Sequence, residues 1–355
     1  MNMQPKNISP RQLKIVQSLR EIGVPSSYST IASAVSPTIA ERTLKRELAD
    51  LVEQGVLSVH GAGRATTYEL NKLGLLFLAI DADQYVAQEP DTRAGVQEQY
   101  QFNLWRSWPS QLFSSDEVIA LKQATKEYTQ RSLDQSEDVR KRELERFVIE
   151  MSWKSSKIEG NTYTLLDTEL LLKEGVASKH NTEEETQMIL NHKEAFDFVR
   201  QHEDACKEGL SFATVDTLHQ HLTKGLVRHQ GIRAGMVGIT GSRYRPLDNA
   251  HQLREALDTL VHTLRSIPDP FSQALTALVG LSYIQPFADG NKRTARLLAN
   301  GILLAHGCAP LSYRDVDERQ YRASLLVFYE QLSIAPMKQL FVDQYFFSCE
   351  QYSSV

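Results

Sequence analysis

Between two apolar helical patterns the chain reads Gln285-Pro286-Phe287-Ala288-Asp289-Gly290-Asn291-Lys292-Arg293, and this turn concentrates the residues best suited to chemistry. A glycine in such a turn lets successive backbone N–H groups converge on an anion, and a helix starting there adds its positive N-terminal end. Asp289 offers hard carboxylate oxygens of the kind Mg²⁺ takes when it is held together with substrate phosphates. Arg293 and Arg296 lie three residues apart, so both guanidinium forks can reach one triphosphate from the same helix face. Several groups serving one ligand within so short a stretch point to a phosphate site rather than to packing.

The elements that must position this turn are readable on either side. Leu275, Leu278, Val279 and Tyr283 share a helical face, and Pro286 ends that helix. Ala295, Leu298, Ile302 and Leu303 continue as a second buried helix that Gly307 closes. From about residue 114 the pattern is helical almost throughout, with candidates at 115–131, 134–159, 167–174, 183–202, 211–226, 250–266, 270–284, 291–306, 317–331 and 335–347. Residues 236–246 alone look like strands. The expected fold class is mainly α: an all-helical domain over 114–355 with one small hairpin.

Residues 76–113 read as a connector, with Trp105, Trp108-Pro109 and Phe113 as a packed lead-in. Residues 1–75 read as a winged helix-turn-helix (α+β) domain. A first helix at 10–22 ends at Gly23-Val24-Pro25, and a short second helix carries Ile31, Ala32 and Val35. Ser36-Pro37 and Thr38-x-x-Glu41 signal the start of a third helix running to about Gln54. Residues 56–59 and 66–70 alternate as a two-stranded wing. The exposed face of the third helix shows Arg42, Lys45 and Arg46, and the wing turn carries Arg64, a pattern compatible with DNA in the major groove. Use of the same unit for protein contact or dimerisation is the alternative.

Composition sets the frame. A chain of 355 residues exceeds one ordinary domain, and 41% hydrophobic with 23% charged residues is enough to bury a full core. No run approaches the roughly 20 apolar residues of a membrane helix, and the N-terminus lacks a signal pattern. Three widely spaced cysteines, Cys206, Cys308 and Cys349, fit free thiols in a reducing compartment, so the cytoplasm is expected. The net charge is −5, yet residues 1–72 hold nine Lys/Arg against six Asp/Glu. The basic head is where nucleic-acid contact is to be sought. His219-x-His221 is set aside as a metal pair, because one intervening residue on a helix puts the two rings on different faces.

The turn resembles the signature of the Fic/Doc family, H-P-F-x-D/E-G-N-G/K-R-x-x-R, and matches it at every defined position but the first. The resemblance implies an ATP–Mg²⁺ site in which Asp289 holds the metal. In that site Gly290, Asn291 and Lys292 cradle phosphates, and Arg293 and Arg296 grip them. Residues 231–246 are similar to the family's flap, which registers a target segment by main-chain pairing through Val237, Gly238, Ile239, Thr240, Gly241 and Tyr244. Ser155-Ser156-Lys157-Ile158-Glu159-Gly160 is similar to its inhibitory motif, with Ser155 and Glu159 on one helix face and Gly160 as the C-cap. The implication is that Glu159 pairs with Arg296 and leaves ATP in an unproductive pose. A helix C-terminus is electrostatically poor for a carboxylate, so an arginine partner would compensate. Winged helices and Fic cores both often pair, so a homodimer is an expectation too.

The departure is at position 285. In active members a histidine there takes the proton from the target's Ser, Thr or Tyr hydroxyl, which then attacks the ATP α-phosphate. Gln285 has no useful basicity, and losing a positioned base removes about 10²–10⁴ of rate. Three explanations stand: a nucleotide-binding pseudoenzyme, an inactivating replacement of a histidine, or another group acting as the base, with His306 a helix away. The functions in play are an autoinhibited protein adenylyltransferase, a DNA-binding regulator with a nucleotide-sensing core, and a Doc-like phosphotransferase favoured by Lys292.

Overall fold

A computed structural model of the chain describes residues 9–35, 39–228 and 230–353. The first unit contains α1 (Pro10–Ile22), β1 (Ser26–Ser27), α2 (Tyr28–Val35), α3 (Glu41–Glu53), β2 (Leu57–His60) and β3 (Thr67–Leu70). Ser9 caps α1 in a capping box with Gln12, and Gly23 at φ 72° ends it with its N–H on Leu19 O. The strands form an antiparallel sheet in the order β1-β3-β2. Ile15, Val16, Leu19, Ile31, Leu44, Leu48, Leu51 and Leu57 make a core of their own. The start signals at Ser36, Pro37 and Thr38 lie outside the described residues. The residue preceding α3 is Ala40, which supplies no side-chain cap.

Two short helices, α4 (Lys72–Leu76) and α5 (Ala82–Val86), lead into the larger unit. Ten helices of four residues to six turns follow: α6 (Ser115–Leu133), α7 (Glu137–Ile158), α8 (Leu165–Glu174), α9 (Glu183–Gln201), α10 (Glu203–Cys206), α11 (Phe212–Thr223), α12 (Ala250–Ser266), α13 (Pro270–Ile284), α14 (Asn291–Ala305) and α15 (Glu318–Gln331). A last helix, α16 (Ala335–Gln351), closes the chain. The chain is therefore mainly helical, and the periodicity located the helices from α6 onward within a few residues, the four-residue α10 excepted.

α13 is apolar on every side and buried from Phe271 to Ile284, which makes it the central helix of the core. Asp269 caps its start on Ser272 N–H, and Pro270 occupies its first turn. α14 packs back along it through Ala295, Leu298, Ile302 and Leu303. Trp105 and Tyr100 from the connector join the same core, and Trp105 Nε1 donates to Tyr100 Oη at 2.9 Å. Among the described residues no helix is long and apolar enough to cross a membrane.

The reversal at 236–246 forms without regular strands. It turns at Thr240-Gly241, where Ser242 N–H donates to Ile239 O at 3.0 Å, and its one ladder-like contact is a parallel bridge between Arg245 and Gln99. Read from sequence, this stretch looks like strands; backbone and side-chain bonds to other segments hold it instead. The three-stranded sheet of the chain lies in the first unit.

Candidate active site

The turn between α13 and α14 is built by local constraints. Pro286 disfavours helix at the residue before it, and Gln285 leaves the helix in the left-handed region at φ 53°, its N–H on Leu281 O at 3.1 Å. Arg233 holds the exit open from the side: its Nε donates to Gln285 O at 2.8 Å and its backbone N–H to Pro286 O at 3.0 Å. Asn291 then closes the turn on Phe287, accepting its N–H at 2.9 Å and donating to its carbonyl at 2.8 Å. His219 stacks on the Phe287 ring at 3.7 Å between centroids, and its Nε2 donates to Asp289 O at 2.9 Å.

Gly290 is where the turn requires glycine. Its φ is 80°, and a Cβ there would sit 2.8 Å from Thr223 Cγ2. As the residue preceding α14 it offers no side-chain cap to the first-turn N–H groups, which fits an anion taking that place. The turn opens onto a cleft of about 490 Å³, lined on one side by Gln285, Asp289, Gly290, Asn291 and Lys292. Val237, Gly238, Ile239 and Thr240 line the other side, and Glu159 and Gly160 close one end.

Neither arginine of the turn lines this cleft. Arg296, with its side chain 2% exposed, donates from Nη1 to Glu159 Oε1 at 2.9 Å, from Nε to Ser155 Oγ at 2.9 Å and from Nη2 to Ser155 O at 2.8 Å. Lys292 Nζ takes the other oxygen of Glu159 at 2.7 Å. Burial pushes the Glu159 carboxyl up, but the charges of Arg296 and Lys292 outweigh it and hold it at about 2. Arg293 Nη2 donates to Asp289 Oδ2 at 2.7 Å, while Arg293 Nη1 is buried and lacks a partner among the described residues.

His192 backs the Ser155–Arg296 contact. Its Nδ1 lies 3.1 Å from Met188 O, which fixes the proton there, so Nε2 accepts from Ser155 Oγ at 2.8 Å. Burial, with the nearby Arg293 charge, lowers this imidazole to about 3 and keeps it neutral.

Two expectations change at the level of single residues. Tyr244 does not face a target segment: it is 1% exposed, stacks on Tyr283 at 4.6 Å and donates its hydroxyl to Tyr283 O, so it anchors the flap from behind. The C-cap of α7 is Glu159 itself, and Gly160 follows at φ 101°. Arg296 pairs with Glu159, the contact that the resemblance implies, and Arg293 pairs with Asp289 of its own turn. Gln285 donates from Nε2 to Ser282 O at 2.7 Å, turned back on its own helix. Among the described residues lining the cleft there is no histidine, and His306 instead donates to Ile302 O.

Sequence reasoning missed His192, Arg233 and the side chain of Lys292 as a partner of Glu159. Each acts on a partner in a distant segment, 37 residues away for His192, 52 for Arg233 and 133 for Lys292, so no local pattern announces it. His219 and His221 do point apart: the first is buried on Phe287, the second stacks on Phe198 beside Glu194.

Residues 209–303, which include the whole turn, match the model of the Fic/DOC family. That part of the chain is similar to the Fic/DOC family. The chain is 29% identical over 180 residues to protein adenylyltransferase fic-1 of Caenorhabditis elegans, covering 48% of this chain and 34% of that protein. It is 28% identical over 194 residues to protein adenylyltransferase Fic of Nematostella vectensis, covering 51% and 43%. The chain thus spans less than half the length of these relatives. In fold it resembles the solved Fic-1 of C. elegans, at a TM-score of 0.55 and 18% identity over 98% of this chain and 99% of that one. It also resembles a Fic family protein from Desulfovibrio desulfuricans G20, at a TM-score of 0.56 and 21% identity over 69% and 76%.

Proposed function

We propose that the cleft binds ATP and is a protein adenylyltransferase site held off by Glu159 and disabled for proton abstraction by Gln285. The observation that carries this reading is the commitment of Arg296 to Glu159 and Ser155 beside an otherwise built phosphate turn. The first-turn N–H groups of α14 and the unpartnered Nη1 of Arg293 are donors a polyphosphate would satisfy. Asp289, its side chain 67% exposed at the turn, is the residue that would hold Mg²⁺. Bound there, the metal would neutralise phosphate charge. Glu159 withholds Arg296, and its own negative charge opposes a phosphate at the end of the cleft.

Gln285 decides what happens to a target hydroxyl. Its amide can donate or accept a hydrogen bond but cannot remove a proton, so transfer in this chain is slower by about 10²–10⁴ than with a histidine. Residues 237–240 line the cleft, and the stretch 237–241 is the place where a target segment would lie by main-chain pairing. Calorimetry with ATP and Mg²⁺ tests the pocket: binding is expected in the unaltered chain, and no heat at millimolar nucleotide would sink the assignment. Labelled ATP with candidate proteins tests the chemistry. Little or no labelling is expected as the chain stands, and the strongest labelling with Gln285→His combined with Glu159→Gly. Mass spectrometry of the product separates an AMP adduct from the phosphate that a Doc-like reaction would leave.

A second reading concerns the first unit, whose three helices and β-hairpin fit a winged helix-turn-helix. Arg42, Lys45 and Arg46 share the exposed face of α3, and Arg64 stands on the wing turn. This face supports DNA contact, with the larger unit sensing a nucleotide. Glu41 pairs with Lys45 and Glu47 with Arg46, so the free positive charge is small and affinity should be modest. Pairing of two copies in the cytoplasm completes the reading, and light scattering reports the oligomeric state.

A further inference from the structure

The flap lacks a ladder of its own, so its geometry comes from whatever it is tied to. It is tied to the connector. Arg245 N–H donates to Glu98 O at 2.8 Å, and Arg93 Nη1 donates to Gly241 O at 2.8 Å. Arg243 returns three contacts, from Nε at 3.0 Å and from Nη2 to Glu98 Oε1, and from Nη1 to Arg93 O at 3.2 Å.

Behind both segments sits Glu330 of α15, a carboxylate whose side chain is fully buried. Ser242 Oγ and Arg243 N–H donate to its Oε1 at 2.7 and 2.9 Å. Tyr85 Oη and Arg93 Nη1 donate to its Oε2 at 2.7 and 3.2 Å. A buried charge is tolerated when its lone pairs are filled in this way, and filling them from three segments makes those segments move as one. The connector is in turn seated by the first unit. Arg20 of α1 donates from Nη2 to Gln331 O at 2.8 Å, Gln331 Nε2 donates to Ala94 O at 3.1 Å, and Gly95 lies flat on the Arg20 side chain.

We propose that connector residues 93–99 are the positioning element of the flap turn at 239–245, and that Arg20 makes the first unit part of that clamp. The proposal rests on the reading of residues 237–241 as the docking place of a target segment. Arg93, Arg243, Glu98 and Glu330 are then positioning residues: they touch no reactant and set where the main chain of 237–241 lies. An event on α3, such as binding of a macromolecule, would reach the flap through α1 and the connector without altering the nucleotide turn.

Hydrogen exchange on the full chain tests the clamp directly. Arg243→Ala removes the side-chain bonds and leaves its backbone N–H on Glu330. Exchange of amides 237–245 should then rise roughly five- to tenfold, as expected for a part-exposed charged contact, with α13 and α14 unchanged. Exchanging the charges, Glu98→Arg with Arg243→Glu, should recover most of the protection. Arg20→Ala should speed the same amides, though it lies outside the larger unit. Unaltered flap exchange in Arg243→Ala overturns the clamp, and unaltered exchange in Arg20→Ala overturns the role of the first unit. In the background carrying Gln285→His and Glu159→Gly, Arg243→Ala should raise the KM for the target protein while leaving the KM for ATP in place. Faster exchange with an unchanged target KM would keep the clamp and overturn the docking reading. Absence of any transfer in that background would overturn the adenylyltransferase reading, and exchange alone would then judge the clamp.

Discussion

Glu159 and His192 are buried titratable groups on opposite sides of the Arg296 network, and both make the fold sensitive to acid. The Glu159 carboxyl lies near 2 against an ordinary 4.5, so its contribution is complete above pH 4.5 and is lost as pH falls toward 2. That difference corresponds to on the order of 3 kcal/mol. The His192 imidazole is lowered from 6.5 to about 3, so the unfolded chain binds the proton first and stability falls below pH 6.5. Urea unfolding at pH 7, 5.5 and 4.5 should therefore show a decline, and His192→Gln, which cannot titrate, should flatten it by up to about 1.4 kcal/mol per pH unit. An equal slope in the variant would remove His192 from the account. Gly290→Ala is a different kind of test. Its Cβ meets Thr223 at 2.8 Å and its φ of 80° disfavours a side chain, so a loss of about 1–2 kcal/mol is expected in thermal unfolding, together with weaker nucleotide binding.

At the scale of elements, the turn between α13 and α14 depends on a segment that contributes nothing to its sequence motif. Arg233 forks onto the carbonyls of Gln285, Gly235 and Leu247, and its N–H holds that of Pro286. Arg233→Met would strand the three carbonyls its side chain serves, and a cost of roughly 2–4 kcal/mol is expected from chemical denaturation. Arg233→Lys should recover little, because an ammonium cannot reproduce the fork. Recovery by lysine would mean that charge alone matters. α7 makes the complementary case: its C-terminal end carries Ser155 and Glu159 on the face that meets α14, so it delivers three acceptor atoms to one guanidinium.

Across the whole molecule, the first unit meets the larger one through Arg20 and the connector. If α3 enters a DNA groove, binding of the full chain to duplex DNA should weaken with salt at a slope of roughly −2 to −4, since few cations are free. Arg42→Ala or Arg46→Ala should reduce that affinity. Affinity that ignores both substitutions would move the contact to another surface.

Much of this was legible from residue order. Pro286 and Gly290 mark the turn between two helices because backbone geometry and helix spacing are local properties, and local properties are written in neighbouring residues. Helix positions followed from apolar periodicity for the same reason, and position 285 shows by itself that a glutamine stands where the resembled signature has a histidine. What folding alone decided is which groups meet across long stretches of chain. Tyr244 lies in an exposed-looking glycine-rich stretch yet is drawn inward by Tyr283, and Lys292 joins Arg296 on Glu159. Arg233, His192 and Glu330 take roles that no spacing encodes. Burial selects those partners, because a desolvated charge or carbonyl must find its complement wherever the chain brings one.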